Sequence, residues 1–476
     1  MAEGKGGLAA VALCGGAGAR LWPLSRAQLA KPFVTLPSGG TLLGELLDSL
    51  PGLGADAAVL VTSAAQAAHC RAAAAARSKQ SPPATVVVEP AGRGTAPAIA
   101  TAAKLLRARH GDEVCLLLLP ADHHIADRAA FGKALRQAEK VARAERRLVL
   151  LGIEPDRPAT GYGYLQLGEA RDGWREIAGF KEKPDRAEAE RLLAAGGYLW
   201  NAGVYVATAA VIEEQIAAHA PQVAAVAAGL GTPPAQGDWE PAAEAYGAYP
   251  SISIEYAVSE RSDRLAAVPA ACGWSDLGTW DDWLATLPAD EKGNRVAGEV
   301  ALADAENVGA LSVGGRLVAV AGVRDVVVVD APDAVLVTGR GAANAVRDVH
   351  AGLAEQKHPA VDSPAREERP WGRYRLLGRG PGWQAKSIEV EPGRRLSLQS
   401  HAHRSERWTV VRGRIEATVG EEVTELGPGD SCFIPQGAKH RMANPGAELA
   451  ELVEVQFGEV LAEDDIVRYE DDFARS

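Results

Sequence analysis

The sequence predicts a three-part α/β chain, with a doubly wound α/β domain over residues 1–290, a short β-solenoid-like region over 291–355 and a double-stranded β-barrel over 365–476. Short apolar runs alternate with alanine-rich helical stretches up to about residue 150, as in a parallel sheet with helices on both faces. From Asn294 the pattern changes to many short Val/Ala/Leu strands with Gly and Asp turns. A charged, proline-bearing stretch from Lys357 to Pro370 then marks a domain boundary before a new strand-rich unit.

Length, charge and cysteine usage limit the classes of protein. A chain of 476 residues exceeds one ordinary core. A net charge of −12 disfavours binding to nucleic acid or to a membrane surface, and no apolar run approaches the roughly 20 residues of a membrane span. Five scattered cysteines without a Cys-x-x-Cys pair, together with a short polar N-terminus, lead us to expect a cytoplasmic protein without a signal peptide.

The first domain begins with a strand and a glycine-rich turn. Strands are predicted at 8–13, 57–61, 85–88, 114–119 and 148–151, and helices at 64–77, 96–109 and 129–144. After the first strand, Gly15, Gly16 and Gly18 can take positive φ and allow a nucleotide to approach the backbone N–H groups. Arg20 and Lys31 add positive charge for phosphates. Taken alone, such a turn predicts a structural strand-to-helix connection about as well as a phosphate loop.

The spacing of this turn excludes two common nucleotide loops. A Walker A loop needs Gly-Lys followed by Ser or Thr, which is absent from this stretch. A dinucleotide fingerprint needs a third glycine where Leu21 stands, and Pro23 interrupts the helix that would hold the pyrophosphate. The sequence therefore disfavours an NAD-type dehydrogenase.

Further polar residues follow predicted strands. In the segment from Glu89 to Pro97, we expect Thr95 to cap the next helix, and Arg93 lies beside it. Asp122 ends the fourth strand, where a carboxylate suits a hard cation such as Mg²⁺. A solvated turn or a zinc site remains an alternative there, although no third zinc ligand follows nearby. Asp276 stands before Leu-Gly, where an aspartate on its own is more often a turn or N-cap residue than a metal ligand.

These segments resemble the motifs of the sugar-nucleotide pyrophosphorylases, in particular the mannose-1-phosphate guanylyltransferases. The resemblance rests on the stretches around Gly15 to Arg26, Glu89 to Pro97, Pro120 to His123, Phe180 to Pro184, Trp200 to Gly203, and Trp274 to Trp280. It implies a Rossmann-like (GT-A-like) nucleotidyltransferase domain whose substrates are GTP and mannose 1-phosphate. The same resemblance implies roles for individual residues: catalysis by Arg20, Lys31, Asp122 and Asp276, with Mg²⁺ on both aspartates; nucleotide binding by Gly15, Gly16, Gly18, Arg93 and Thr95; sugar-phosphate binding by Gly163, Glu182, Lys183 and Asn201.

The solenoid-like region carries no cluster of catalytic residue types. We therefore expect it to serve packing or dimerisation, and the resemblance implies a similar linker region. A homodimer is the expected assembly.

The third unit carries a histidine pattern that predicts a metal site. Two predicted ligands, His401 and His403, are two residues apart on an expected strand and would point the same way, with Glu406 and the distant His440 completing the site and Gln399 as an alternative ligand. A site of histidine and carboxylate ligands accepts Zn²⁺ or another divalent transition metal.

The spacings of Gly393 to Gly413 and of Gly429 to Asn444 reproduce the two motifs of the cupin barrel, and the whole unit resembles the type II phosphomannose isomerases. The resemblance implies interconversion of mannose 6-phosphate and fructose 6-phosphate. Glu454 is a candidate for the base, and Arg468 for binding the phosphate. A guanylyltransferase whose cupin domain is not catalytic, and a sugar-nucleotide sensor, remain the alternatives.

Overall fold

The computed structural model describes residues 7–16, 18–36, 39–362, 366–369, 371–461 and 465–470. The polar residues 1–6, which bear on the expected lack of a signal peptide, lie outside the described residues. Within the described ranges, the helices are too short or too polar to cross a membrane.

The first domain is built on one nine-stranded sheet. Its strands, with two short ones beside it, are β1 (Leu8–Leu13), β2 (Ala57–Ser63), β3 (Ala84–Glu89), β4 (Cys115–Pro120), β5 (His124–Ile125), β6 (Leu148–Ile153), β7 (Tyr164–Arg171), β8 (Trp174–Lys181), β9 (Tyr198–Thr208), β10 (Leu265–Pro269) and β11 (Trp274–Ser275). The order in the sheet is β3-β2-β1-β4-β9-β6-β10-β8-β7. The strands β1 to β4 pair in parallel, and β9 runs antiparallel between β4 and β6.

Helices cover both faces of this sheet. They are α1 (Leu42–Leu53), α2 (Ala67–Ala76), α3 (Thr95–His110), α4 (Arg128–Glu145), α5 (Arg186–Ala195), α6 (Ala209–His219), α7 (Pro221–Gly229), α8 (Ala243–Gly247) and α9 (Trp280–Ala285). Alternate strand residues enter two separate cores: Ala10 and Ala12 pack in the core under α1, α2 and α4, whereas Ala9 and Val11 pack in the core under α3 and α6. The doubly wound α/β prediction is confirmed.

The start of α3 differs from the prediction. Thr95 is the first residue of the helix and not its cap, because Gly94 takes the cap position at φ 88°. The Thr95 hydroxyl instead accepts a hydrogen bond from Ile254 N at 2.9 Å. A Cβ on Gly94 would lie 2.6 Å from the Ile252 carbonyl oxygen, so this position needs glycine for its φ and for the close approach.

The middle region is a short parallel β-helix. It contains β12 (Arg295–Ala297), β13 (Val300–Ala303), β14 (Gly309–Ser312), β15 (Val318–Ala321), β16 (Val326–Ala331), β17 (Ala334–Gly339) and α10 (Ala343–Glu355). Strands β12, β14 and β16 stack in parallel in one sheet, and β13 and β15 do so in another. This stacking confirms the solenoid-like prediction.

The last unit is a two-sheet β-barrel. Its strands are β18 (Arg366–Arg369), β19 (Gly372–Gly380), β20 (Trp383–Val390), β21 (Leu398–His401), β22 (Arg404–Arg412), β23 (Ile415–Val419), β24 (Glu422–Leu426), β25 (Ser431–Ile434), β26 (His440–Ala443), β27 (Ala450–Gly458) and β28 (Ile466–Glu470). Six strands form one sheet in the order β18-β19-β20-β27-β22-β25, and five form the other in the order β24-β23-β26-β21-β28. The double-stranded barrel prediction is confirmed.

Candidate active sites

The first site lies at the carboxyl ends of β1 and β4, where α/β sheets bind ligands. The glycine turn after β1 lines it, with Gly16 at φ 104° and Gly18 at φ 59°. Gly15 lines it as well, with a φ outside the left-handed region. Two adjoining cavities share Gly16, Asp122 and Asp276 as lining residues.

The two predicted metal ligands reach this cavity from distant parts of the chain. Asp122 follows β4, and Asp276 follows β11. The short strands β5 and β11 pair antiparallel, with Ser275 opposite His124, and this pairing brings the two aspartate loops together. Two carboxylates facing one cavity form the oxygen donor set that hard divalent cations prefer.

Lys31 is buried beside these carboxylates. Its Nζ donates to Asp122 Oδ2 at 2.9 Å and to the backbone oxygen of Asp276. Burial raises the pKa of Asp122, but Lys31 and His123 lower it by more, so the net pKa lies below the usual value. Asp122 is therefore ionised at neutral pH, as a cation ligand must be.

Asp276 is held by its own neighbours. Its Oδ1 accepts from Tyr162 OH at 2.9 Å and from Gly278 N at 3.0 Å. Arg20 lines the same cavity as Lys31 and both aspartates, and its side chain is exposed. Thus all four residues that the sequence assigned to catalysis surround one cavity.

The predicted sugar-phosphate residues line the other end. Glu182 is buried, and its Oε1 lies 3.0 Å from Lys183 Nζ. Burial raises the pKa of Glu182. A Cβ on Gly163 would lie 2.6 Å from Glu182 Oε2, so glycine allows this carboxylate to face the cavity. Asn201 is buried on β9 and donates to Tyr205 OH at 3.2 Å, and Tyr205 in turn donates to Glu255.

Arg93 does not line the cavity. Its Nη2 donates to the Gly247 carbonyl oxygen at 2.8 Å, behind the loop that follows β3. Thr95 does line the cavity, although its hydroxyl is engaged by Ile254 N. The structure thus shows a backbone contact for Arg93, and its nucleotide contact stays a prediction.

Sequence reasoning missed three residues of this site. Tyr162 donates to Asp276, His123 accepts from Trp274 Nε1 at 3.1 Å, and Glu255 lines the cavity from a π-helical turn. Burial lowers the pKa of His123, which therefore stays neutral at pH 7. Adjacency to a predicted residue was a signal for the first two, since Tyr162 lies next to Gly163, and His123 lies next to Asp122 in the segment from Pro120 to His123.

The second site lies inside the barrel. One ligand atom from each of His401, Glu406 and His440 lies within 4.8 Å of the other two, and all three side chains are buried. His440 Nδ1 donates to the Ala438 carbonyl oxygen at 2.9 Å, so the Nε2 atom carries the free lone pair of the neutral ring. This Nε2 is buried without a hydrogen-bond partner among the described residues, as is usual for a metal ligand.

His403 is not part of this cluster. Strand β21 ends at His401 and the chain bends at Ala402 and His403, so the two histidines do not share a strand face. The His403 side chain is 59% exposed and its Nδ1 lies 2.7 Å from Asp465 Oδ1. The prediction of His403 as a metal ligand is wrong for this reason.

Two histidines and one carboxylate fit a divalent transition metal. Burial raises the pKa of Glu406, but His401 and His440 lower it by more, so it is ionised. Arg404 Nε lies 3.3 Å from Glu406 Oε1, and its Nη2 lies 3.4 Å from His401 Nε2. A metal ion bound to Glu406 Oε1 and His401 Nε2 would compete with the Arg404 guanidinium, which contacts the same two atoms.

A polar cavity adjoins this cluster. Its lining includes Gln399, Glu454 and Arg468, which the sequence proposed, together with Lys386 and Arg404. Glu454 is buried and accepts from Trp408 Nε1 at 3.1 Å, and burial, with the nearby Glu406 charge, raises its pKa. The cross-strand pairing of Lys386 with Glu454 places a cation opposite this carboxylate. Lys386 and Arg404 were missed because nothing in their local sequence distinguishes an inward cation from a surface one.

These features define an α/β nucleotidyl transferase joined through a β-helix to a cupin-type barrel. The family described as "Nucleotidyl transferase" matches residues 9–293, the "MannoseP isomerase/GMP-like beta-helix domain" matches 298–353, and the "Mannose-6-phosphate isomerase C-terminal" domain matches 356–471. The chain belongs to the family of mannose-1-phosphate guanylyltransferases that carry a mannose-6-phosphate isomerase domain.

Two named proteins are similar to this chain over nearly its whole length, and one solved structure is similar to most of it. Mannose-1-phosphate guanylyltransferase of Escherichia coli is 38% identical and covers 100% of both chains. Alginate biosynthesis protein AlgA of Pseudomonas aeruginosa is 37% identical, with 98% of this chain and 97% of that protein covered. The crystal structure of mannose-1-phosphate geranyltransferase from Thermus thermophilus aligns with a TM-score of 0.63 at 33% identity, over 73% of this chain and 99% of that one.

Proposed function

We propose that the first domain joins GTP and mannose 1-phosphate into GDP-mannose with release of pyrophosphate. The observation that carries this proposal is the convergence of Arg20, Lys31, Asp122 and Asp276 on one cavity, which shares both aspartates with an adjoining cavity that Glu182 and Asn201 line. A phosphate oxygen of mannose 1-phosphate attacks the α-phosphorus of GTP, and pyrophosphate leaves. Such a reaction needs positioning and charge neutralisation more than covalent help.

Each side chain has a distinct task in this reaction. Arg20 neutralises negative charge on the phosphates at the open side of the cavity, and Lys31 orients Asp122 while contributing its own charge. Glu182 and Asn201 accept and donate hydrogen bonds to the sugar hydroxyls, and Lys183 binds the sugar phosphate. We propose Asp122 and Asp276 as the ligands of Mg²⁺, which when bound neutralises phosphate charge and aligns the triphosphate.

We propose that the barrel interconverts mannose 6-phosphate and fructose 6-phosphate. His401, Glu406 and His440 hold Zn²⁺ or another divalent metal, which when bound polarises the sugar oxygens at C1 and C2. Glu454 moves the proton between C1 and C2, since it is buried in the cavity beside the cluster. Arg468 binds the substrate phosphate, and Gln399 lines the same cavity as a further ligand for metal or sugar.

Exposed residues of the β-helix and the free cysteines support a proposal about the oligomeric state and the cellular compartment. We propose a cytoplasmic homodimer that contacts through the β-helix, where Val335 and Val337 on β17 are 53% and 66% exposed. All five cysteines are free thiols, as in a reducing compartment. Sedimentation at several concentrations tests the dimer.

Pyrophosphate release from a panel of nucleoside triphosphates, with mannose 1-phosphate or glucose 1-phosphate and Mg²⁺, tests the first activity. We expect a strong preference for GTP with mannose 1-phosphate, whereas absence of release with every pair favours a sugar-nucleotide sensor. Isomerisation of mannose 6-phosphate after loading with Zn²⁺, Fe²⁺, Mn²⁺ or Ni²⁺ tests the second. Binding without turnover would leave a guanylyltransferase with a non-catalytic barrel.

A further inference from the structure

The segment that carries Arg20 and Lys31 packs against the β-helix. Between these two residues, Leu21, Trp22 and Leu24 are buried in a hydrophobic cluster. The opposite wall of this cluster comes from the β-helix and its helix α10, through Val327, Val329, Leu336 and Val346. Leu277, the neighbour of Asp276, is buried in the same cluster. The β-helix therefore contacts the chain segments next to Arg20, Lys31 and Asp276.

One ion pair crosses this interface in the interior. Arg26 is 1% exposed, and its Nη2 lies 2.7 Å from Oδ1 of Asp333, which sits in the turn between β16 and β17. The Arg26 guanidinium also lies 5.7 Å from the centroid of the Trp22 ring. Its Nε and Nη1 are buried without hydrogen-bond partners among the described residues. Among the residues that the structure describes, the carboxylate partner of this buried charge thus belongs to the β-helix.

Short contacts connect this pair to the catalytic residues. Ser25, next to Arg26, donates through its hydroxyl to the Gly18 carbonyl oxygen at 2.5 Å. A Cβ on Gly18 would lie 3.2 Å from Ser25 and 3.3 Å from the Lys31 side chain, so the glycine turn packs against both. A shift of Arg26 would therefore displace the glycine turn, Arg20 and Lys31 together.

The rest of the segment is fastened to the chain that follows α10. Trp22 Nε1 donates to the Ala360 carbonyl oxygen at 2.8 Å, and the backbone N–H groups of Ala27 and Gln28 donate to Val361 and Asp362. These bonds tolerate a change at Asp333, since none of them involves its side chain. A substitution there consequently loosens the segment without releasing it.

We propose that Asp333 acts through Arg26 as a positioning residue for nucleotidyl transfer, so that the β-helix is a structural part of the first active site. This inference rests on the proposed guanylyl transfer. Groups that stabilise a transition state lose much of their effect when displaced by about 1 Å. The expected signature is therefore a loss of kcat, with KM for GTP and mannose 1-phosphate largely kept.

The test compares Asp333→Asn with Arg340→Gln in the full-length chain. Arg340 also links the β-helix to the first domain, through Asp281 at 2.9 Å, but it contacts neither the glycine turn nor Lys31, so R340Q is the matched control. We expect D333N to lower kcat for pyrophosphate release at least tenfold, while R340Q stays near wild type. Folded fraction comes from circular dichroism, and the isomerase rate of the barrel serves as an internal reference.

The double variant Arg26→Met with Asp333→Asn separates an unpaired charge from lost anchoring. Because it buries no unpaired cation, its kcat should lie between those of D333N and wild type. If D333N does not fold, Asp333→Glu replaces it, since the charge is kept and only the carboxylate is displaced, and a severalfold loss of kcat is expected.

The outcomes distinguish the two proposals. A wild-type chain that releases no pyrophosphate overturns the proposed function before any variant is measured. An active wild type, with D333N or D333E showing wild-type kcat per folded molecule, overturns the positioning role alone. A fall in thermal stability with unchanged kcat has the same meaning, because it shows that the ion pair serves folding only.

Discussion

Arg20 is an exposed cation of the first site, so its loss should affect chemistry and leave folding intact. Surface substitutions of this kind usually change stability by less than about 0.5 kcal/mol. Loss of one group that stabilises transition-state charge costs on the order of 10²–10³ in kcat. We therefore expect Arg20→Ala to lower kcat for guanylyl transfer to that extent, measured by pyrophosphate release. The isomerase rate of the same chain is the control, and an unchanged kcat would rule out the assigned role.

Lys31 has a second role that a pH profile can detect. Burial raises the pKa of Asp122. Lys31 has the largest effect among the groups that bring this pKa below its usual value. Lys31→Met removes the largest influence that opposes burial, so the pKa of Asp122 should rise. Mg²⁺ binding by isothermal titration should then weaken at a higher pH in the variant than in wild type as pH falls from 8 to 5. Identical acid limbs would contradict this coupling.

The sequence predicted these residues for a physical reason. Parallel strands end at one edge of a sheet, so residues directly after β1 and β4 had to meet there. The pairing of β5 with β11 could not be predicted, because each strand has only two residues and no local pattern. The contact of Arg93 with Gly247 could not be predicted either, since its partner is a backbone oxygen 154 positions away.

At the level of single elements, the end of β21 separates the two histidines that the sequence predicted as metal ligands. A strand places residues two apart on one face, which is why His401 and His403 were expected to act together. The strand ends one residue too early for that, and the bend turns His403 to solvent, where Asp465 accepts from its backbone N–H. The alternation of side chains along a strand does not define where the strand ends. The motif spacing therefore predicted the buried cluster, but not which of these histidines belong to it.

The barrel therefore offers a direct comparison of two histidines. His401→Ala removes one member of the buried cluster, and we expect metal content and isomerase activity to fall at least tenfold, the lower end of what perturbing a metal site costs. His403→Ala should retain both, because its side chain is exposed and contacts Asp465. Metal is measured by plasma mass spectrometry after dialysis. Loss of metal in the His403 variant would restore the ligand set expected from the sequence.

On the scale of the whole molecule, the β-helix and the first domain share one core. Trp280 and Trp283 of α9 pack beside Trp22 in the cluster that Val327, Val329 and Leu336 complete. Trp280 Nε1 donates to the Trp22 carbonyl oxygen at 3.1 Å, which ties the end of the first domain to the glycine-loop segment. The sequence pattern predicted a boundary near residue 290, but it could not show that the apolar faces on either side cover one another.

Two truncated chains test this shared core. A chain of residues 1–362 keeps the cluster and the Ala360 to Asp362 contacts, and we expect it to retain guanylyl transfer within about threefold, without isomerase activity. The Thermus thermophilus structure aligns over 99% of its own length with 73% of this chain, a share similar to that of residues 1–362.

A chain of residues 1–290 should behave differently, because it exposes Leu21, Trp22, Trp280 and Trp283. Each large apolar side chain that loses its cover costs about 1.5–3 kcal/mol, so a few of them consume most of a typical stability of about 5–15 kcal/mol. We expect this chain to melt well below the longer one and to lose pyrophosphate release. Thermal denaturation and an assay at about 25 °C measure the two effects. Equal melting temperatures and activities of the two truncated chains would mean that the β-helix is an appended module, because a shared core cannot be removed at no cost.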